Sequence, residues 1–216
     1  MNRPVPSPLR AVFLSAEGVI YALFLALDLT GRGAQTAPLK YAGILLCLAY
    51  SLLGTDRLVP LALALTAGAD WFLLVRNGQY LLGIALFLAV QTVYFLRLRR
   101  AGADGAYFLR SALALGAGLG VYALGMASAV NLAAALYFSQ LLSNTLLAWT
   151  VKGARRRAFA LGLTLFVGCD VCVGLFNALP PASPLYFPAS VGMWLFYLPS
   201  QALIAMSAFP GKENVK

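Results

Sequence analysis

Runs of apolar residues about as long as a bilayer is thick recur from one end of this chain to the other. Short clusters of glycine, proline or arginine close each of them. A transmembrane helix needs about 20 such residues, fewer where flanking side chains reach out to the interface. Eight runs qualify: 9–29, 38–54, 57–75, 80–98, 107–127, 130–151, 158–179 and 186–208. The chain is 61% hydrophobic and 11% charged, whereas a soluble domain carries roughly 25% charged residues. A single globular core cannot hide that much apolar surface. Strict apolar–polar alternation is absent, which excludes a β-barrel. The expectation is an all-α membrane protein, one eight-transmembrane-helix bundle over residues 1–216.

The breaks between runs have turn chemistry. Gly31-Arg32-Gly33, Asn77-Gly78 and Pro180-Pro181-Ala182-Ser183-Pro184 are turn sequences. Gly54-Thr55-Asp56 is a tight turn that offers Asp56 as a helix cap. Only Ser128 and Ala129 separate the fifth run from the sixth. Pro60 falls in a first helical turn, where it is tolerated, and Pro199 falls inside the last helix, where a kink is expected. The first run is too long for the core of a signal peptide and lacks a clear cleavage site, so it reads as a retained span.

A formal charge of +9 invites a nucleic-acid reading. The basic residues instead sit in short loops beside apolar runs, as the positive-inside rule requires. With eight spans, Arg3, Arg10, Arg57, Arg97, Arg99, Arg100, Arg110, Lys152, Arg155, Arg156, Arg157, Lys212 and Lys216 share one side. Arg32, Lys40 and Arg76 share the other. The richer side is expected to be cytoplasmic, with both termini on it. No nucleic-acid partner is expected, and the basic ends suit anionic lipid headgroups.

The chain has no histidine, so any acid–base chemistry falls to carboxylates. Asp70 and Asp170 both lie within spans. At 1.5 Å per residue they come out roughly 7–8 Å and 13–14 Å below the outer boundary. A carboxylate at such depth normally faces a protein interior or a wet cavity. Glu17, Gln91, Tyr137, Gln140, Asn144, Tyr197 and Gln201 also fall near mid-membrane. Gln91 lies close to one turn from Tyr94; Tyr137, Gln140 and Asn144 share a face, as do Trp194, Tyr197 and Gln201. Such stripes turn toward one another in a bundle, as interhelical glue or as a site. Lys40 is a candidate ion-pair partner for Asp70, and a nearby tyrosine or arginine for Glu17. Asp28 is expected to be solvated at a helix end. Gly116, Gly118, Gly120 and Gly125 point to close helix approach, and Arg155-Arg156-Arg157 to a topological anchor. Cys169 and Cys172 read as small apolar residues of one helix. No metal and no cofactor are expected.

Two segments echo each other: Gly83-x-x-x-Phe87-x-x-x-Gln91 and Gly162-x-x-x-Phe166-x-x-x-Asp170. Each lies along one helix face, and the two helices run in opposite directions.

These pieces together resemble the lysoplasmalogenase (YhhN-like) membrane protein family, over about residues 40–207. The segments that carry the likeness are Ala69-Asp70-Trp71-Phe72-Leu73-Leu74, Gly83 through Gln91 to Tyr94, Gly162 through Phe166 to Asp170, and Tyr197-Leu198-Pro199-Ser200-Gln201-Ala202-Leu203-Ile204. The family pattern has glycine where Ala69 stands, histidine where Gln91 stands and serine where Cys169 stands. Gln91 cannot exchange a proton, so it takes no acid–base role. The resemblance implies an integral membrane hydrolase, acting on the vinyl-ether bond of a lysoplasmalogen or related lysolipid in a bacterial plasma membrane. In that reading Asp170 is the general acid. Asp70 is the ionised group that stabilises the cation and orients water, though the roles can be exchanged. Gln91, Tyr94, Asn144, Tyr197, Gln201 and Lys40 bind the lipid's polar parts. The alternatives are a non-catalytic lipid-binding protein and a small proton-coupled transporter on the same bundle.

Overall fold

The computed structural model describes residues 7–32, 35–103, 106–152 and 154–209. Arg3, Lys212 and Lys216 and the side chain of Arg155 lie outside that description. Among the described residues the chain is all helical. Its helices are α1 (Ser7–Leu29), α2 (Ala37–Leu52), α3 (Leu58–Asp70), α4 (Tyr80–Arg100), α5 (Ala106–Ala123), α6 (Ala129–Thr150), α7 (Ala154–Ala178) and α8 (Tyr186–Met206). Each matches one of the eight apolar runs, because the turn chemistry between runs sets where helices stop. Asn77 takes positive φ (45°) and so does Gly31 (77°). Ser128 caps α6 by accepting the Asn131 N–H. The Asp56 carboxylate accepts the Leu58 N–H at the start of α3. Among the described residues five helical segments are long and apolar enough to cross a membrane: Pro8–Leu29, Leu58–Val75, Tyr80–Arg100, Arg156–Ala178 and Tyr186–Met206. Ala37–Leu52 is a shorter apolar helix.

Immediately after Asp70 the backbone widens into a π-helical turn, Trp71–Val75, with the Arg76 N–H bonded to the Trp71 carbonyl at 2.8 Å. Such turns insert a residue into a helix and recur at functional sites.

The helices pack in sequence from α1 to α4. Then α4 pairs with α6, α6 with α7, α7 with α8, and α8 returns to α1 and α2. The α7–α8 pairing is the most extensive. It is close because Gly162 has no side chain: a Cβ there would lie 2.8 Å from Ile204 Cγ1 and 3.0 Å from the Ser200 carbonyl oxygen. Gly83 plays the same part between α4 and the π turn, where a Cβ would lie 2.5 Å from Leu73 Cγ. Both glycines of the sequence echo therefore mark tight crossings. Their phenylalanines, Phe87 and Phe166, meet with ring centroids 5.8 Å apart.

Helix α5 stands outside this ring: its backbone lies along α6, and two side chains near its start, Tyr107 and Arg110, reach Phe95 of α4. The expectation of close helix approach at Gly116, Gly118, Gly120 and Gly125 is corrected here, since nothing lies within 4 Å of a Cβ at any of them. The rest of that helix is correspondingly open, with Phe108 84% and Tyr122 75% exposed. Exposed leucine, valine and phenylalanine side chains clothe the outside of the bundle, while polar residues within the helices, Glu17, Asp70, Gln91, Asn144 and Gln201 among them, are interior. That inversion is the surface of a membrane protein.

Candidate functional site

Polar side chains converge where α3, α6, α7 and α8 face the interior. Asp70 ends α3 and is buried; its Oδ2 accepts a hydrogen bond from the Tyr197 hydroxyl of α8 at 2.7 Å. Asp170, on α7, is half-buried with a fully buried Oδ2 that receives no donor. The Tyr137 hydroxyl of α6 lies beside its carboxyl group. The two carboxylates are close enough for their charges to interact, and Cys169 senses both. Phe166 sits between the tyrosines, 5.4 Å from the Tyr197 ring and 6.5 Å from the Tyr137 ring. Thus two acids, each with a tyrosine from a neighbouring helix, flank one aromatic wall. No basic residue forms an ion pair with either aspartate among the described residues.

Several expected pairings are corrected. Lys40 does not meet Asp70. Its Nζ pairs with Asp28 Oδ2 at 2.8 Å, and Thr36 donates to Asp28 Oδ1, also at 2.8 Å. Asp28 is accordingly buried rather than solvated. A charge removed from water needs a partner, and these two neutralise each other. Lys40 still borders the site, lying 4.5 Å over the Trp194 ring, which itself makes an edge contact with Tyr197. Glu17 pairs with neither tyrosine nor arginine; the Cys47 thiol donates to its Oε1 at 3.2 Å.

The remaining candidates gather on a second level, a turn or two from the carboxylates toward the end where α1 begins and α8 finishes. Asn144 Nδ2 donates to the Gln91 carbonyl oxygen (2.8 Å) and to Gln91 Oε1 (2.9 Å). Asn144 Oδ1 accepts from Arg110 Nη1 at 2.9 Å. Gln91 therefore serves this node and bonds neither aspartate. Tyr94 lies against the Thr66 hydroxyl. Gln201 is fully buried, with both amide atoms unpartnered by protein. Gln140 bonds its own neighbour Ser139 at 3.3 Å and stays out of the site.

The sequence shows Tyr137 only as one of a polar stripe, and it singles out neither Thr66 nor Arg110. Thr66 is one turn before Asp70 on the same face, a spacing that is its one signal. Arg110 stands among the basic loop residues in the sequence, and nothing in its spacing distinguishes it from them.

The sequence profile of the YhhN family matches residues 35–208, which contain all of these residues except Glu17 and Asp28. No curated protein and no solved structure matches the chain.

Proposed function

Because the chain belongs to the YhhN family, we propose that it is an intramembrane lipid hydrolase of the lysoplasmalogenase type. The substrate is the vinyl-ether bond of a lysoplasmalogen or related lysolipid. The observation that carries the reading is the approach of buried Asp70 and half-buried Asp170, each beside a tyrosine.

Vinyl-ether hydrolysis begins with a proton. Asp170 gives its carboxyl proton to the β-carbon of the double bond, and an oxocarbenium ion forms at the carbon bearing oxygen. Asp70 stabilises that cation as a carboxylate, its Oδ2 held in place by the Tyr197 O–H. Water adds to the cation and loses its proton to a carboxylate. The resulting hemiacetal collapses into a fatty aldehyde and a glycerol hydroxyl on the headgroup fragment. One water is consumed, and the proton taken from Asp170 is restored. The division of labour follows the hydrogen bonding: Asp70 is already an acceptor, while Asp170 Oδ2 receives no donor. Two carboxyl groups in different surroundings divide acid and base roles in the same way in glycosidases.

All eight helices span the membrane in this proposal. Arg57, Arg97, Arg99, Arg100, Arg110, Lys152, Arg156 and Arg157 then lie at one end, and Arg32, Lys40 and Arg76 at the other. Both chain termini belong on the basic, cytoplasmic side.

Product analysis tests the reading. Detergent-solubilised protein given a lysoplasmalogen releases fatty aldehyde. Asp70→Asn and Asp170→Asn each lower the rate by about a hundredfold or more, the usual worth of an acid–base group. Full activity in both variants overturns the mechanism. Uptake of lipid into sealed vesicles with no aldehyde formed indicates transport instead.

A further inference from the structure

Arg110 belongs by sequence to the basic end of the bundle, but its side chain turns inward. From α5 it crosses to α6 and donates from Nη1 to Asn144 Oδ1 at 2.9 Å. Its guanidinium carbon lies 4.1 Å from the centroid of the Phe95 ring on α4. No carboxylate among the described residues pairs with it. Asp56, an acid at the same end of the bundle, is engaged by Arg97 at 2.8 Å. A guanidinium has five N–H donors, and Asn144 accepts from one nitrogen. The result is a half-buried cation without a counter-anion, held in a fixed orientation by an amide and an aromatic face.

A second donor points to the same place. Gln91 is fully buried, and its Nε2 has no protein acceptor. The orientation of both amides follows from the network. Asn144 donates from Nδ2 to the Gln91 carbonyl and accepts at Oδ1 from Arg110, which fixes Asn144. Asn144 Nδ2 then faces Gln91 Oε1, which leaves Gln91 Nε2 as the free donor. Donor capacity of Arg110 on α5 and of Gln91 on α4 thus remains unfilled on either side of one asparagine. Buried donors normally find an acceptor, and a guanidinium fork fits two oxygens of a phosphate.

We propose that Arg110 and the Gln91 amide form the subsite that receives the phosphate of the lysophospholipid headgroup. The proposal rests on the lysolipid reading given above. Its position fits that substrate. Tyr137, beside Asp170, and Asn144 occupy positions i and i+7 of α6, two turns and roughly 10 Å apart on one face. A glycerol backbone with its phosphate ester spans that interval when the vinyl ether lies at the carboxylates. Position 91 then contributes to headgroup recognition and not to proton transfer, which accounts for an amide working there.

The test is a binding measurement in phospholipid-free detergent. The probes are a saturated alkyl-ether lysophosphoethanolamine, which has no vinyl ether to hydrolyse, and the matching alkylglycerol, which has no phosphate. Arg110→Gln weakens binding of the phosphate-bearing probe by about tenfold or more, as expected for charge-assisted hydrogen bonds. The alkylglycerol binds the wild type and the variant alike. Asn144→Asp supplies an independent arm without changing side-chain shape. Its new carboxylate neutralises the Arg110 guanidinium, and it too loses the phosphate-bearing probe selectively. If Arg110→Gln does not fold, this second variant decides. Unchanged affinity for the phosphate-bearing probe overturns the proposal, and so does equal loss of both probes. If Arg110 serves the phosphates of bilayer lipids instead, the variants keep wild-type affinity for the lysolipid and lose only the thermal stabilisation given by added phosphatidylethanolamine; this result also overturns it. Because neither probe can be hydrolysed, a protein that releases no aldehyde but still discriminates the probes refutes the hydrolase and spares the subsite.

Discussion

Replacing Tyr197 with phenylalanine removes one oxygen atom from the site and leaves its walls in place. The ring keeps its contacts with Phe166 (5.4 Å between centroids) and Trp194 (5.6 Å). What disappears is the O–H that donates to Asp70 Oδ2 at 2.7 Å. A hydrogen bond to a charged group contributes about 1.5–3 kcal/mol. If that bond holds Asp70 in place as the carboxylate facing the developing cation, its loss falls on the transition state. At 1.36 kcal/mol per factor of ten, kcat/KM drops roughly tenfold to a hundredfold. The drop lies mainly in kcat, since the interaction matters most when the cation forms. The assay is steady-state aldehyde release by purified protein, with monodispersity on gel filtration as the folding control. A well-folded Tyr197→Phe protein with kcat within twofold of wild type refutes the reasoning. Asp70 would then need no oriented donor, and its part in catalysis would have to be withdrawn.

Other predictions concern the scaffold and the second carboxylate. Tyr137→Phe takes away the hydroxyl beside Asp170 and slows aldehyde release without lowering the melting temperature by more than a few degrees. Gly162→Ala forces a methyl group to within 2.8 Å of Ile204 and 3.0 Å of the Ser200 carbonyl, costing about 1–3 kcal/mol. Gly116→Ala meets open space and stabilises its helix by roughly 0.4–1 kcal/mol; thermal denaturation in detergent checks both. Asp28→Asn leaves Lys40 as a buried cation without its counter-charge. It costs about 3–5 kcal/mol, read as a lower melting temperature, and a melting temperature equal to wild type contradicts the ion-pair assignment.

The eight helices and their ends were legible because turn residues in a membrane protein stand out against apolar runs. Ser128, Asn77-Gly78 and the Pro180–Pro184 cluster stop helices for local reasons, and local reasons are visible in sequence. Asp70 and Asp170 were legible because charge within an apolar run requires an explanation. Pairings across helices were not. Lys40 is equally compatible with Asp28 and Asp70 until the packing of α1 on α2 is known. Glu17 meets Cys47, a partner that charge complementarity does not suggest. The glycines of α5 have the spacing of a packing motif, yet the helix lies along α6 with those glycines left open. The π turn after Asp70 depends on how α3 must turn to meet Gly83 and α4, a tertiary demand with no local signature. Arg110 shows the same limit: a basic residue near a helix start reads as an anchor until its side chain is seen reaching Asn144.

Turnover in heavy water tests the central claim, protonation of a vinyl-ether carbon by one carboxyl group beside another, most directly. Wild-type protein is predicted to release aldehyde carrying one solvent deuterium on the carbon next to the carbonyl. Asp70→Asn and Asp170→Asn form the same product about a hundredfold more slowly. Aldehyde released without that deuterium contradicts the account.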